Sequence, residues 1–198
     1  ENNTTATWYT SGITRIEDAM KREVTVGATG GSPSSQYPRI MNAVLGTKFR
    51  IILGYPGGNE INLAMERGEV EGRGSNSWAS WKATRSDWLK EKKINLLVQV
   101  GLKKADDLPD IPLLMDLAKN EDDRALLRLF STPSTIGRPI FTTPKTPKER
   151  VAALRSGFDA MLKDPGFLSD AQKANLELDP VSGEELQDIV KQILATPK

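Results

Sequence analysis

Residues 24–35, Val24-Thr25-Val26-Gly27-Ala28-Thr29-Gly30-Gly31-Ser32-Pro33-Ser34-Ser35, decide the fold. A short β-branched run breaks into glycine and serine, and apolar residues then recur at Ile40, Met41, Val44 and Leu45 with helical spacing. That order reads strand, Gly-rich loop, helix. The pattern repeats immediately. Phe49 to Leu53 reads as a strand, 54–59 (GYPGGN) as a turn, and Ile61, Ala64 and Met65 as a helix closed by Gly68.

Working outward, Thr5 to Thr10 reads as a strand ending at Ser11-Gly12, and Thr14 and Glu17 are spaced as a capping box for a helix to about Arg22. After the two units, Glu69 to Arg73 reads as a short strand, Ser75 to Thr84 as a Trp-containing loop or helix, and Asn95 to Val100 as a buried strand. Alternating strands and helices imply a largely parallel sheet. Residues 103–112 read as a loop, Leu113 to Ala118 and Asp123 to Phe130 as helical, and Ile136 to Thr142 as a return to strand.

The last third changes character. Thr146-Pro147-Lys148-Glu149 joins a capping box to a proline at the first helical position, with Val151, Leu154, Phe158 and Leu162 on one face. Asp164-Pro165 starts another short helix. Ser182 to Glu185 forms a further capping box, followed by the stripe Leu186, Ile189, Val190 and Ile193.

Composition narrows the chemistry. The 198 residues carry 27 Lys+Arg against 26 Asp+Glu, a net charge of +1 that offers nucleic acid no broad attractive field. Histidine and cysteine are both absent, which removes the commonest general base, the Ser-His-Asp triad, thiolate nucleophiles, disulfides and the usual zinc ligands. An enzymatic reading therefore starts at a disadvantage, and neither cofactor nor metal is expected.

The Gly-rich loop has a definite chemical use. Glycines after a strand let backbone N–H groups converge at a helix start, where the helix dipole favours an anion. Ser32, Ser34 and Ser35 add neutral hydroxyl donors. The loop lacks Gly-Lys-Ser/Thr and the dinucleotide spacing, which disfavours a nucleotide. Gly57 and Gly58 repeat the physics at the next strand end, and Arg73, between Gly72 and Gly74, either forks onto a carboxylate or pairs with a nearby Glu. Trp78, Trp81 and Trp88 suit core packing as well as a pocket wall, with Trp78 kept as a ligand candidate. Glu69 and Glu71 read as solvated groups on one face of a strand, and Asp106, Asp107 and Asp110 as a solvated loop.

With VTVGATGGS, GYPGGNEINLAMERGEVEGR, LPDIPLLMDLA, IGRPIFTTPKTPKERVAALRSGFDAMLKDP and VSGEELQDIVKQILATP in view, the chain resembles the receptors of tripartite tricarboxylate transporters. The resemblance implies an α/β fold of the type II periplasmic-binding-protein kind. Residues 1–10 would be a crossover strand, 11–135 a complete three-layer second lobe, and 136–198 the return strand and C-terminal helices of a first lobe whose N-terminal part has no counterpart here. It also implies a periplasmic receptor, not an enzyme, that hands a small carboxylate to membrane permease subunits. Thr29, Gly30, Gly31, Ser32, Ser34, Gly57 and Gly58 match its binding loops, and Arg73 and Trp78 are further candidates. A monomer is expected, with self-association through the incomplete lobe and its unpartnered terminal stripe. The rival readings are a small α/β enzyme and a ligand-sensing module acting on an anionic metabolite.

Overall fold

A computed structural model describes residues 1–137, 139–174, 176 and 178–194. The chain divides into two compact units, Glu1–Thr135 and Ile136–Lys198. The strands are β1 (Asn3–Trp8), β2 (Val24–Gly27), β3 (Phe49–Ile52), β4 (Gly72–Ser77) and β5 (Ile94–Val100). The helices are α1 (Asp18–Lys21), α2 (Pro33–Leu45), α3 (Gly58–Glu66), α4 (Trp78–Thr84), α5 (Ser86–Lys90), α6 (Glu121–Ser131), α7 (Pro133–Ile136), α8 (Lys148–Met161), α9 (Pro165–Lys173) and α10 (Gly183–Leu194).

The first unit is a five-stranded sheet in the order β3-β2-β4-β1-β5. β2 runs parallel to β3 and β4, while β1 runs antiparallel to both β4 and β5, so β1 alone opposes the common direction. The chain leaves β2 through α2 to β3 on one side, then returns from β3 through α3 to β4, which places the two helices on opposite faces. Each face buries its own apolar cluster. Val24, Val26, Tyr37, Met41, Leu45 and Leu127 belong to the α2 side, and Ile61, Met65, Trp78, Trp81 and Trp88 to the α3 side.

Three sequence expectations in this unit need correction. Thr14 does not cap a helix; its N–H and hydroxyl, with the N–H of Arg15, donate to the carboxylate of Asp18, which closes the turn before the four-residue α1. β4 begins at Gly72 rather than Glu69. The glycines that read as a strand end lie at its start instead, and a Cβ on Gly72 would stand 2.5 Å from the Ala6 carbonyl oxygen across the ladder. Glu71 is not a solvated strand residue: it pairs with Arg22 at 2.7 Å and accepts from the N–H of Thr25.

Gln99 shows how the sheet tolerates a polar core residue. It is fully buried, and its Nε2 donates to the carbonyls of Leu108 and Ile111 while its Oε1 accepts from Asn2 Nδ2 and the N–H of Ala105. One amide thereby fastens the 103–112 loop to β5. Gln99→Leu removes four bonds and strands their partners, and we expect it to lower unfolding free energy by about 2 kcal/mol in urea titration. A loss below about 0.5 kcal/mol would show that the loop does not depend on this amide.

The second unit is helical. Asp164 caps α9 through the N–H of Phe167, and Ser182 caps α10 through the N–H of Glu185, as their spacing predicts. Thr146 does not cap α8: its hydroxyl turns back to the Thr143 carbonyl, and Pro147 takes the cap position. Arg155 of α8 donates to Glu184, to the Gly183 carbonyl and to Gln187, which ties α8 to the first turn of α10. Leu186 and Ile189 are half-buried and Val190 is exposed, whereas the side chain of Ile193 lies outside the described residues. Among the described residues of 136–142 the expected strand does not form. Ile140 and Phe141 are 79% and 85% exposed, and among the described residues no strand lies beside them to complete a ladder.

Candidate functional site

The C-terminal ends of β2, β3 and β4 open on one edge of the sheet, and the starts of α2 and α3 stand there on either face. At α2, Ser32 occupies the cap position but makes no cap hydrogen bond. Its hydroxyl lies 2.7 Å from those of Thr29 and Ser34, and Ser34 Oγ accepts from the N–H of Thr29 at 3.0 Å. The three hydroxyls form a triangle. Ser35 is buried beneath them and fixes the loop by donating to the carbonyls of Gly30 and Ser32.

Consequently the helix start is left open. Among the described residues the N–H groups of Gly30 and Gly31 have no acceptor, and a Cβ on either glycine would meet nothing within 4 Å. Exposed backbone donors without an acceptor, just before the positive end of a thirteen-residue helix, suit an anionic oxygen.

The α3 side is arranged differently. Gly57 also gives no side-chain cap, but Glu60 folds back beside it, with a carboxylate oxygen 2.9 Å from where a Gly57 Cβ would lie. Arg73, directly across the ladder from Gly27, lays its guanidinium over Gly58 and donates to the carbonyls of Ser75 and Gly58 and to Asn62 Oδ1. Its charge also lies 5.6 Å from the Trp81 ring centre. Among the described residues it meets no carboxylate. Burial, with the nearby Arg85 charge, pulls its pKa down to about 10, so the guanidinium remains charged at neutral pH in a setting that disfavours charge.

Trp78 is 8% exposed, and its indole N–H is engaged by both carboxylate oxygens of Asp107, at 2.8 and 2.9 Å. Asp107 is thus not a merely solvated loop residue. Burial raises its pKa, yet the bonds from Lys82 and Trp78 outweigh this and leave it below the ordinary carboxylate value. The structure therefore brings Thr29, Gly30, Gly31, Ser32 and Ser34 together around one helix start and places Gly57, Gly58 and Arg73 around the other. Trp78 has its polar atom already satisfied. Asn62 and Asn76 escaped the sequence reading, since an isolated asparagine in a helix or a strand carries no motif.

Solved structures that resemble the chain answer the question of fold. A TctC solute-binding protein from Polaromonas superposes with a TM-score of 0.66 at 16% identity, over 98% of this chain and 64% of its own. The fold is that of the TctC- and Bug-type periplasmic binding proteins. An R. palustris protein solved with adipate gives 0.62 at 17% identity, covering 98% and 61%, and the periplasmic binding protein BugD gives 0.60 at 18%, covering 98% and 62%. The chain spans less than two thirds of the length of each. No protein-family model matches the sequence, and no curated protein matches it. No helix among the described residues is long and apolar enough to cross a membrane.

Proposed function

We propose that the chain is the ligand-holding part of an extracytoplasmic solute-binding receptor that captures a small carboxylate and presents it to the permease subunits of a tripartite transporter. The observation that carries this reading is the start of α2, where Ser32 stands at the cap position without a side-chain cap bond and the N–H groups of the exposed Gly30 and Gly31 just before it have no acceptor among the described residues. A helix serving only structure would use that serine to cap itself. The neighbouring folds, one solved with adipate, support a carboxylate as the occupant. On this reading residues 1–10 are the crossover strand, 11–135 the second lobe that holds the ligand, and 136–198 the returning part of the first lobe.

Arg73 supplies the positive charge at the same sheet edge. The test is thermal stabilisation by adipate, succinate, citrate and benzoate. An acid at a hundredfold its dissociation constant adds about 2.7 kcal/mol of stability, and we expect at least one to do so. Arg73→Met should then weaken that acid about tenfold, the low end for a hydrogen bond to a charged group. If no acid raises the melting temperature the receptor reading falls, and if Arg73→Met binds as the parent does, Arg73 is only a structural cation.

A further inference from the structure

Asn62 is the polar exception on the buried face of α3. Ile61, Ala64 and Met65 around it are apolar and at most 1% exposed, and Asn62 itself is only 2% exposed. Asparagine is a poor helix former, and burying its carboxamide costs stability unless its polar atoms are used. The use lies across the face of the helix. Gly58 and Asn62 stand one turn apart on α3 and share that face, and each offers an oxygen to Arg73 of β4. Arg73 Nη1 donates to the Gly58 carbonyl at 3.3 Å and to Asn62 Oδ1 at 3.1 Å.

A guanidinium carries five N–H donors in a rigid plane. Nε of Arg73 is taken by the Ser75 carbonyl and both N–H groups of Nη1 by the two α3 acceptors, which leaves the pair on Nη2. Nη2 lies against the position that a Gly58 Cβ would take, at the first turn of α3. It has no acceptor among the described residues. The one polar side-chain atom there that is both shielded and unpartnered belongs to Asn76, so Nη2 is reached by solvent. All three groups that hold Arg73 are neutral. An aspartate at residue 62 would hold the guanidinium and cancel its charge, whereas a carboxamide holds it and leaves the charge uncompensated. Burial already pulls this cation below its ordinary pKa, so an uncompensated charge here is costly to the free protein.

We infer that Asn62 is the positioning residue of the receptor site: it fixes Arg73 with Nη2 unengaged and, being neutral, leaves the guanidinium charge to meet the carboxylate of the ligand. This rests on the receptor reading and deepens it. It also settles how Arg73 acts on that reading. With Nε and Nη1 occupied, the guanidinium reaches an acid through Nη2 alone rather than through the fork that its sequence position suggested.

The test compares the parent with Asn62→Asp, Asn62→Leu, Arg73→Met and the Asn62→Leu/Arg73→Met double variant, by melting and by calorimetric titration with adipate, succinate, citrate and benzoate. Asn62→Asp pairs with Arg73, so the free variant should melt at or above the parent temperature while its affinity for the protecting acid falls about tenfold. A purely structural asparagine would not move the two readouts in opposite directions. Asn62→Leu removes the acceptor without adding charge, so affinity should fall about threefold, and in the Arg73→Met background the same change should make less than about a twofold difference. Parent-like affinity in a folded Asn62→Asp protein overturns the inference, and so does a melting temperature below that of the parent. A loss in Asn62→Leu that persists undiminished without Arg73 overturns it as well and leaves Asn62 a packing residue. If acids protect the parent but Arg73→Met binds them equally well, this inference falls while the receptor reading stands. If nothing protects the parent, the receptor reading itself has failed.

Discussion

Gly31→Val is expected to abolish stabilisation by the protecting acid while leaving the melting temperature of the free protein within about 1 °C of the parent. The asymmetry follows from where a side chain at residue 31 would go. Nothing lies within 4 Å of its Cβ, and Gly31 is not among the glycines with positive φ, so valine meets neither a clash nor a forbidden backbone. It does occupy the approach to two backbone donors, and a ligand kept from those amides loses most of its directed contacts. A loss of more than a hundredfold, seen as a vanished calorimetric signal, is the expected size. Ser34→Ala should act far more weakly: one neutral hydroxyl is worth about 0.5–1.5 kcal/mol, a reduction of roughly tenfold or less. A folded Gly31→Val protein that binds like the parent would move the ligand away from the start of α2.

Gly58→Val cannot serve as a matched control, although the two glycines look alike in sequence. A Cβ on Gly58 would fall 2.2 Å from Arg73 Nη2, so valine expels the guanidinium before it touches any ligand. The pair shows what the sequence conveyed and what it withheld. Both β-loop-α units were legible because glycine clusters, β-branched runs and helical spacing are local signals. The partner that lies over the second loop comes from a distant position, Arg73, and no spacing rule reports it.

The same distinction explains the misread segments. Ile136 to Thr142 has strand-forming residues, but a strand exists only through its ladder, and the described residues supply no neighbour for it. Thr14 and Thr146 satisfy the capping-box spacing, yet Asp18 organises the first turn and Pro147 occupies the second cap position. At Ser182 the same spacing succeeds, because no competing group stands nearby in sequence. Glu71 carries no sequence mark of its partner, since Arg22 and Thr25 lie more than forty residues upstream on the neighbouring strand and the turn before it.

Gly74→Ala tests the junction on which the site depends, and here stability and binding should fall together. Pro38 interrupts α2 and has no N–H, so the Ser34 carbonyl lacks its usual helical donor four residues on. That carbonyl turns against Gly74, where β4 passes without a side chain. A methyl group there would sit 2.0 Å from the carbonyl oxygen and 2.6 Å from the proline ring, and neither neighbour is the free end of a flexible side chain. The first turn of α2 must therefore lift from the sheet, carrying Ser32 and Ser34 with it and displacing the hydroxyl triangle. Overpacking at so constrained a contact costs about 3 kcal/mol, which urea titration resolves easily. Gly30→Ala, whose Cβ meets nothing within 4 Å, supplies the control and should leave stability within about 0.5 kcal/mol. A Gly74→Ala protein as stable as the parent that still binds the acid normally would mean that α2 and β4 are not in contact at this point. The same loop hydroxyls would then need another support.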